Sequence, residues 1–508
     1  MGDLIEPIAS APVSRDGARS FSEQTSIKCL YITQGYAPLF SEGGLGLSSA
    51  ALPAALDGGH GTHHDLVLPY YPCLVNRLEL RIEEVCVLPE RRVTGIRAGA
   101  TVHRLLDHQH SGDIFLIRAD AWYDRPGMYR DEQYRPFADE AARGAFFGWC
   151  VAEWVAVTQR GYDLVHGNDW QSGAALAHFR DRFPGLPQIL TIHNGLYSGE
   201  LRIEELDALS LPASALRMLR EQADGRPSLL LAALLAADTV VTCSTGYVDD
   251  LQRETRGTAV GAALERVRPT GIVFGVDAGL WDPAAVDRPT YPYDASTVQL
   301  GKQMNKQELQ KTLELRADEN VPVIGVCSRL VHEKGSDLLL EALEPMLRGQ
   351  TAQLVLMGPA DGHLKETLGA LRADVPEFLA HVPRFDQDIA WLTYAGADLT
   401  VMPPRVKPCG LNQLIAYRYG TLPVASPVGG LRGTVVDVRV DPAAGGGFLI
   451  PEHSVQAVRS TVGEALAWLA RPDVPAAVRT RVMRQDWSWA RTARQYAQVY
   501  AGLARRAA

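Results

Sequence analysis

One rhythm constrains this chain more than any other feature. Short apolar runs that end in a turn alternate with long amphipathic segments, and the rhythm starts twice. "KCLYITQGYAP" (28–38) has the pattern of a buried strand, and "GGLGLSSAALPAAL" (43–56) follows as a glycine turn entering a helix. "YDLVHGNDW" (162–170) leads into the helical "QSGAALAHFRDRF", and "QILTIHNG" (188–195) and "DTVVTCSTGYVDDL" (238–251) repeat the strand-then-turn form. Such alternation predicts parallel sheets covered by helices on both faces. The Gly-, Pro- and Asp-rich stretch "GIVFGVDAGLWDPAAVDRPTYPYD" (271–294) interrupts it and reads as a linker. The pattern then resumes with "VPVIGVCSRL", "AQLVLMGPAD", "DLTVMPP" and "LPVASPVGG" as strands, and closes on the amphipathic "DWSWARTARQYAQVYAGLARR" (486–506).

The expected organisation is therefore α/β. A tail occupies residues 1–26, a Rossmann-like domain 27–275, a linker 276–294, a second Rossmann-like domain 295–480 and a terminal helix 481–508. A length of 508 residues fits such a multidomain chain. Two doubly wound sheets facing each other would place a ligand at their strand C-termini, in the cleft between domains.

Charge excludes whole classes of partner. A net charge of −9 argues against a general nucleic-acid or anionic-membrane binder, so any phosphate chemistry must rest on local cations. The seven cysteines (Cys29, Cys73, Cys86, Cys150, Cys243, Cys327 and Cys409) are scattered without metal-type pairs, as suits a reducing cytoplasm. The first 26 residues lack a signal peptide's basic start and apolar run, and nothing approaches the ~20 apolar residues of a membrane span.

Several stretches could carry chemistry. In "PPRVKPCGLNQLIAYRYG" (403–420) a helix is expected to open at Pro408-Cys409-Gly410-Leu411, with Lys407 adding charge where a helix N-terminus favours an anion. Gly43-Gly44 could bring backbone N–H groups to a phosphate, or could simply form a tight turn. Arg329 and Lys334, five apart in "SRLVHEKG", are either a diphosphate clamp or surface charges. His193, Asn194 and Asp169-Trp170 sit at strand ends, where a hydrogen-bonded structural role competes with a functional one. "HGTHH" (60–64) reads as a polar loop and "DRPGMY" (124–129) as a turn. No nucleophile elbow or cluster of metal ligands stands out.

Taken in order, "GGLG", "DRPGMY", "VHGNDW", "TIHN", "GVDAGLWDP", "IGVCSRLVHEKGSDLLLEAL", "YAGADLTVMPPR", "PCGLNQLIAYRYGTLPV", "GGL" and "QDWSWARTARQY" resemble the bacterial glycogen synthase and starch synthase family from about residue 27 onward. The resemblance implies a GT-B fold and a retaining nucleotide-sugar glycosyltransferase acting without a metal or other cofactor. It implies that Arg329 and Lys334 hold the donor diphosphate and that His193 lines the donor-sugar pocket. Asp169, with Asn194 and Glu42 nearby, would face the acceptor, and Gly43, Gly44, Cys409, Gly410 and Leu411 would bind donor phosphates.

The chain departs from the family pattern at these places. The family has Glu where Lys407 stands, which inverts both charge and hydrogen-bond sense. It has Lys-Thr where this chain has Ser41-Glu42, Asp where it has Leu47, His at Asn168 and Gln171, and Asp at Gly433. The diphosphate grip is kept while the donor-ring and acceptor contacts change. A narrower resemblance is to the pseudo-glycosyltransferases of acarbose-type aminocyclitol pathways, which join a nucleotide-activated, phosphorylated cyclitol to an amino sugar through a C–N bond. An ADP-glucose-dependent α-1,4-glucan synthase, with Glu42 pairing Lys407 in a charge swap, is one alternative. A catalytically silent binding scaffold is another.

Overall fold

The structure is a computed structural model that describes residues 26–41, 43–75, 80–131, 135–222, 225–288, 290–471 and 474–507. The tail through residue 25 and Glu42 lie outside the described residues. Two compact units emerge. The first contains the described residues up to Thr242, Leu251–Ile272 and the chain from Trp489 onward; the second contains Cys243–Asp250 and Val273–Ser488.

Among the described residues, the first unit holds a nine-stranded sheet. Its strands are β1 (Ile27–Ile32), β2 (Thr62–Pro69), β3 (Ile82–Val93), β4 (Ile96–Leu105), β5 (Ile114–Arg118), β6 (Leu164–Asn168), β7 (Gln188–Ile192), β8 (Thr239–Thr242) and β9 (Thr270–Gly271). They run in the order β3-β4-β5-β2-β1-β6-β7-β8-β9. β6 and β7 are buried at every position, apolar at Leu164, Val165, Ile189, Leu190 and Ile192 and polar at His166, Asn168, Gln188 and Thr191. The chain winds outward from β1 through β2 to one side and returns through β6 to the other, so the order reverses between β1 and β6.

Two elements differ from the sequence reading. β3 and β4 form an antiparallel hairpin at the sheet edge, turned by Thr94 and Gly95 with φ of +44° and +87°. "HGTHH" is not a loop: β2 begins inside it, and His64 is fully buried. A buried imidazole is tolerable there because both nitrogens have partners. Its Nδ1 lies 2.5 Å from the Asp57 carboxylate and its Nε2 lies 3.2 Å from the Tyr500 hydroxyl.

Tyr500 belongs to the last helix, Trp489–Ala507. Its hydroxyl also meets His166 Nδ1 at 2.7 Å, while His166 Nε2 meets Thr191 Oγ1 at 2.7 Å and Thr191 meets the Tyr496 hydroxyl at 3.1 Å. Burial keeps His166 neutral by pushing its pKa well down. Tyr500→Phe takes one hydroxyl from two buried imidazoles, so it is expected to cost about 1–3 kcal/mol. A lowered thermal midpoint checks this, and an unmoved one would show that the network adds no net stability.

The second unit carries a six-stranded sheet, with every pairing parallel. The strands are β10 (Val323–Cys327), β11 (Gln353–Met357), β12 (Leu379–Val382), β13 (Leu399–Met402), β14 (Leu422–Ala425) and β15 (Phe448–Leu449). Their order, β12-β11-β10-β13-β14-β15, is the doubly wound order of nucleotide-binding domains. It reverses between β10 and β13, so the loops leaving those two strands define the place for a ligand. Helix Ser336–Arg348 covers this sheet with Leu339, Leu340, Leu343 and Leu347, one apolar stripe.

Candidate functional site

The loop leaving β10 carries Arg329, which is exposed and whose guanidinium has no hydrogen-bond or ion-pair partner among the described residues. Five residues on, Lys334 ends a short 3-10 turn and pairs with the Glu333 carboxylate at 2.6 Å. Gly335 then starts the helix at φ +70°, and a Cβ there would sit 1.9 Å from the Pro403 carbonyl oxygen. Only glycine lets the loop after β10 lie this close to the loop after β13. Arg405 fastens the two loops: its guanidinium makes a bidentate contact with Asp337 at 2.8 Å on both arms, and its backbone N–H donates to the Glu333 carbonyl at 3.0 Å.

This fastening brings Lys407 to Lys334 and Glu333. Burial pushes the Lys407 ammonium down to about 8, and the like charge of Lys334 adds to the push. No hydrogen bond or ion pair holds the Lys407 ammonium among the described residues, though the Glu333 charge partly offsets the push. Glu333 feels the whole cluster. Burial raises its carboxyl, but the Lys334 hydrogen bond and the charges of Lys334, Arg329 and Lys407 outweigh this and hold it below the usual range. Three cations thus act on one carboxylate, leaving an excess of positive charge.

The helix after Lys407 begins at Asn412, four residues later than the sequence pattern suggests, and spans Asn412–Arg418. Gly410 at φ +82° breaks any helical path through Pro408–Leu411, so those residues form a loop. Asn412 donates to the Cys327 carbonyl at 2.5 Å, tying this helix to the end of β10. Gly429 and Gly430 support the loop from below, since Cβ atoms there would lie 2.0 Å from the Lys407 carbonyl oxygen and 1.5 Å from that of Cys409. The Gly430 N–H donates to both the Lys407 and Pro408 carbonyls.

In the first unit, Asp169 follows β6 at φ +54°, a strained setting for a residue with a side chain. Its Oδ1 accepts the backbone N–H groups of His193 (2.7 Å) and Asn194 (3.2 Å), bringing together the ends of β6 and β7. Burial pushes Asp169 up to about 7 against those hydrogen bonds. His193 is pushed down to about 3 by burial and is neutral, with Nε2 3.0 Å from Asn168 Oδ1. Asn168 also accepts from the Tyr31 hydroxyl and donates to the Ile32 carbonyl, so it orients the imidazole from a fixed position. Gly43 precedes helix Gly44–Asp57 at φ +81° with no side-chain cap, and space around Gly43 and Gly44 is open. Gly43 needs glycine for its backbone. Gly44 has no steric reason to be one.

The structure thus groups Arg329, Lys334, Lys407, Cys409, Gly410 and Leu411 in the second unit, and Asp169, His193 and Asn194 in the first. Glu333 and Arg405 were not singled out from sequence, because their importance comes from partners on other loops. Among the described residues, no group of three or more His, Cys, Asp or Glu side chains could hold a metal ion, and no helix is long and apolar enough to cross a membrane.

Two Rossmann-like parallel-sheet domains, the second with cations at its reversal point, define a nucleotide-sugar glycosyltransferase of the GT-B class. Comparisons agree. Residues 28–266 match the family model "starch synthase catalytic domain", and residues 321–467 match "glycosyl transferases group 1". The glycogen synthase of Serratia proteamaculans (strain 568) is 32% identical over 94% of this chain and 100% of its own length. That of Yersinia pestis (strain Pestoides F) is 33% identical with the same coverages. The catalytic domain of starch synthase IV from Arabidopsis thaliana, solved with ADP and acarbose, superposes with a TM-score of 0.82 at 24% identity, covering 95% of this chain and 100% of that one. Sucrose-phosphate synthase from Thermosynechococcus elongatus superposes at 0.59 with 21% identity, covering 94% and 99%. The chain belongs to the glycogen synthase and starch synthase family.

Proposed function

We propose that this chain is a glycogen-synthase-like transferase whose donor site serves a nucleotide-activated donor carrying an additional anionic group. In its most specific form it is a pseudo-glycosyltransferase that joins a nucleotide-activated, phosphorylated cyclitol to an amino sugar through a C–N bond with retention. The observation that carries this reading is Lys407, beside Lys334: a cation pushed down by burial, whose side chain has no hydrogen bond or ion pair among the described residues, where the family places a carboxylate. A phosphate on the donor ring would offset the excess positive charge.

In this reading Arg329 and Lys334 take the charge that develops on the departing diphosphate, and the backbone N–H groups of Cys409, Gly410 and Leu411 bind donor phosphates. No metal or other cofactor is assigned a step. Neutral His193 lines the donor ring. An attacking amine sheds one proton as the C–N bond forms, and Asp169, raised to about 7, is suited to receive it on the acceptor side with Asn194.

The second reading is an ADP-glucose-dependent α-1,4-glucan synthase. It is supported by full-length glycogen synthase relatives and by the ADP bound in starch synthase IV. Calorimetric titration with ADP, GDP, UDP and dTDP separates the two. Preference for a base other than adenine, with no glucosyl transfer from ADP-glucose to glycogen, is the expected result. Preference for ADP together with such transfer would overturn it, and binding of none of the four would favour a silent scaffold.

A further inference from the structure

The segment Cys243–Asp250 runs under the donor loop of the second unit. Ser244 Oγ donates to the Pro408 carbonyl at 2.6 Å, and the Asp250 carboxylate accepts the Gly429 N–H at 2.6 Å and pairs with Arg432 at 2.8 Å. These contacts fix residues 243 and 409 side by side; the Cys243 thiol donates to the Cys409 sulfur, and the Cys409 thiol in turn faces the Gly410 carbonyl at 4.0 Å. Both are reduced; Cys243 is buried at 1% exposure, while Cys409 is half-buried.

The other cysteines make the contrast plain. Burial raises Cys29, Cys86, Cys150 and Cys327, and the exposed Cys73 is raised by donating to the Asp124 carboxylate at 3.0 Å. Cys409 alone among these is lowered, by the Cys243 hydrogen bond first and by the Phe274 backbone and the Lys407 charge in addition, against burial. Thiolate character and access together select the cysteine that oxidants meet first.

We propose that Cys409 and Cys243 form a peroxide-oxidisable dithiol, a modification site that closes to a disulfide beneath the donor loop. The Cys409 thiolate attacks one oxygen of hydrogen peroxide, the O–O bond breaks, and hydroxide leaves and is protonated to water. The Cys243 sulfur then displaces the oxygen of the Cys409 sulfenic acid: the S–S bond forms, the S–O bond breaks, and the Cys243 proton departs with that oxygen as a second water. The two thiols lose one electron each, and the peroxide takes both. This inference is independent of the donor's identity.

The test treats the reduced full-length protein with hydrogen peroxide, then maps peptides under non-reducing conditions. The expected product is lighter by one hydrogen from each thiol, contains a cross-linked peptide pair bearing Cys243 and Cys409, and is fully reversed by dithiothreitol. In Cys243→Ser the pair is lost, Cys409 is trapped by dimedone, and further peroxide carries it to sulfinic acid that dithiothreitol does not reverse. Cys243→Ala must behave the same way, and Cys73→Ser must leave the pair intact. Wild-type Cys409 that stays unmodified, labels with dimedone as strongly as in Cys243→Ser, or cross-links to another cysteine would overturn the proposal.

Discussion

Arg329→Ala is expected to lower turnover about 10²-fold or more, the loss seen when one preorganised charge-stabilising donor is removed. The expectation rests on where the residue sits. Arg329 leaves β10 at the point where the strand order reverses, and its side chain is exposed. Its guanidinium makes no hydrogen bond or ion pair among the described residues and acts on Glu333 only through space, so its loss should leave the thermal midpoint nearly unchanged while kcat falls and nucleoside-diphosphate affinity weakens. Arg329→Lys should recover only part of the rate, since an ammonium does not reproduce the two-pronged geometry of a guanidinium. A near-normal rate in Arg329→Ala would remove this residue from the diphosphate grip.

Lys407→Glu is expected to reduce kcat/KM for the native donor about 10²-fold, within the 2–5 kcal/mol lost when one partner of a buried charge pair is removed. The same substitution restores the family's residue, so it also discriminates. An unharmed enzyme, or a gain of transfer from ADP-glucose, would favour the glucan-synthase reading. The pH dependence carries independent information. The free protein's Lys407 is pushed down to about 8 from an ordinary value near 10.5, so it is charged below pH 8 and neutral above it. Donor affinity should therefore fall as pH rises through about 8, well before an unperturbed lysine would titrate. A bound phosphate favours the charged form, so binding above pH 8 should take up a proton. Calorimetry in buffers of different ionisation enthalpy reads that uptake, and Lys407→Met should abolish it. For the unliganded protein the sign is the reverse of a salt bridge's. A depressed lysine means that the unfolded chain binds more protons between about pH 8 and 10.5, so this group's contribution to stability rises with pH across that window.

The fold was legible where the physics is local. Strands buried on both faces are mostly apolar and end in turn residues, which is why "LVHGN", "QLVLM" and "LTVM" gave themselves away. The β3–β4 hairpin was not read, because an edge strand such as "IEEVCVLPERRV" is half-exposed and rich in charge, although the Thr94-Gly95 turn was a signal. His64 was misplaced because its polarity is compensated by Tyr500, which lies 436 residues away in sequence. The candidate site divides along the same line. Arg329, Lys334 and His193 stand at strand ends and could be singled out from pattern and resemblance. Arg405 and Glu333 could not, because one fastens through Asp337, 68 residues away, and the other matters through three cations of which Lys407 comes from a different loop. The shape of the stretch after Lys407 was hidden too: Pro408–Leu411 looks like a helix start, and only the left-handed Gly410 shows that it is a loop.

The two units are interleaved along the chain rather than strung end to end. Cys243–Asp250 is lent to the second, and everything from Trp489 onward returns to the first. No single cut yields either one whole. A fragment ended in the 276–294 stretch would lack Tyr496 and Tyr500, orphaning the hydrogen bonds of His64, His166 and Thr191 in its core. The complementary fragment would lack Ser244 and Asp250, which brace the loop after Lys407 through Pro408 and Gly429. Dissection by truncation would then report the damage of the cut instead of the properties of a domain, so work on either half belongs in the intact polypeptide or in a deliberately rejoined, permuted one.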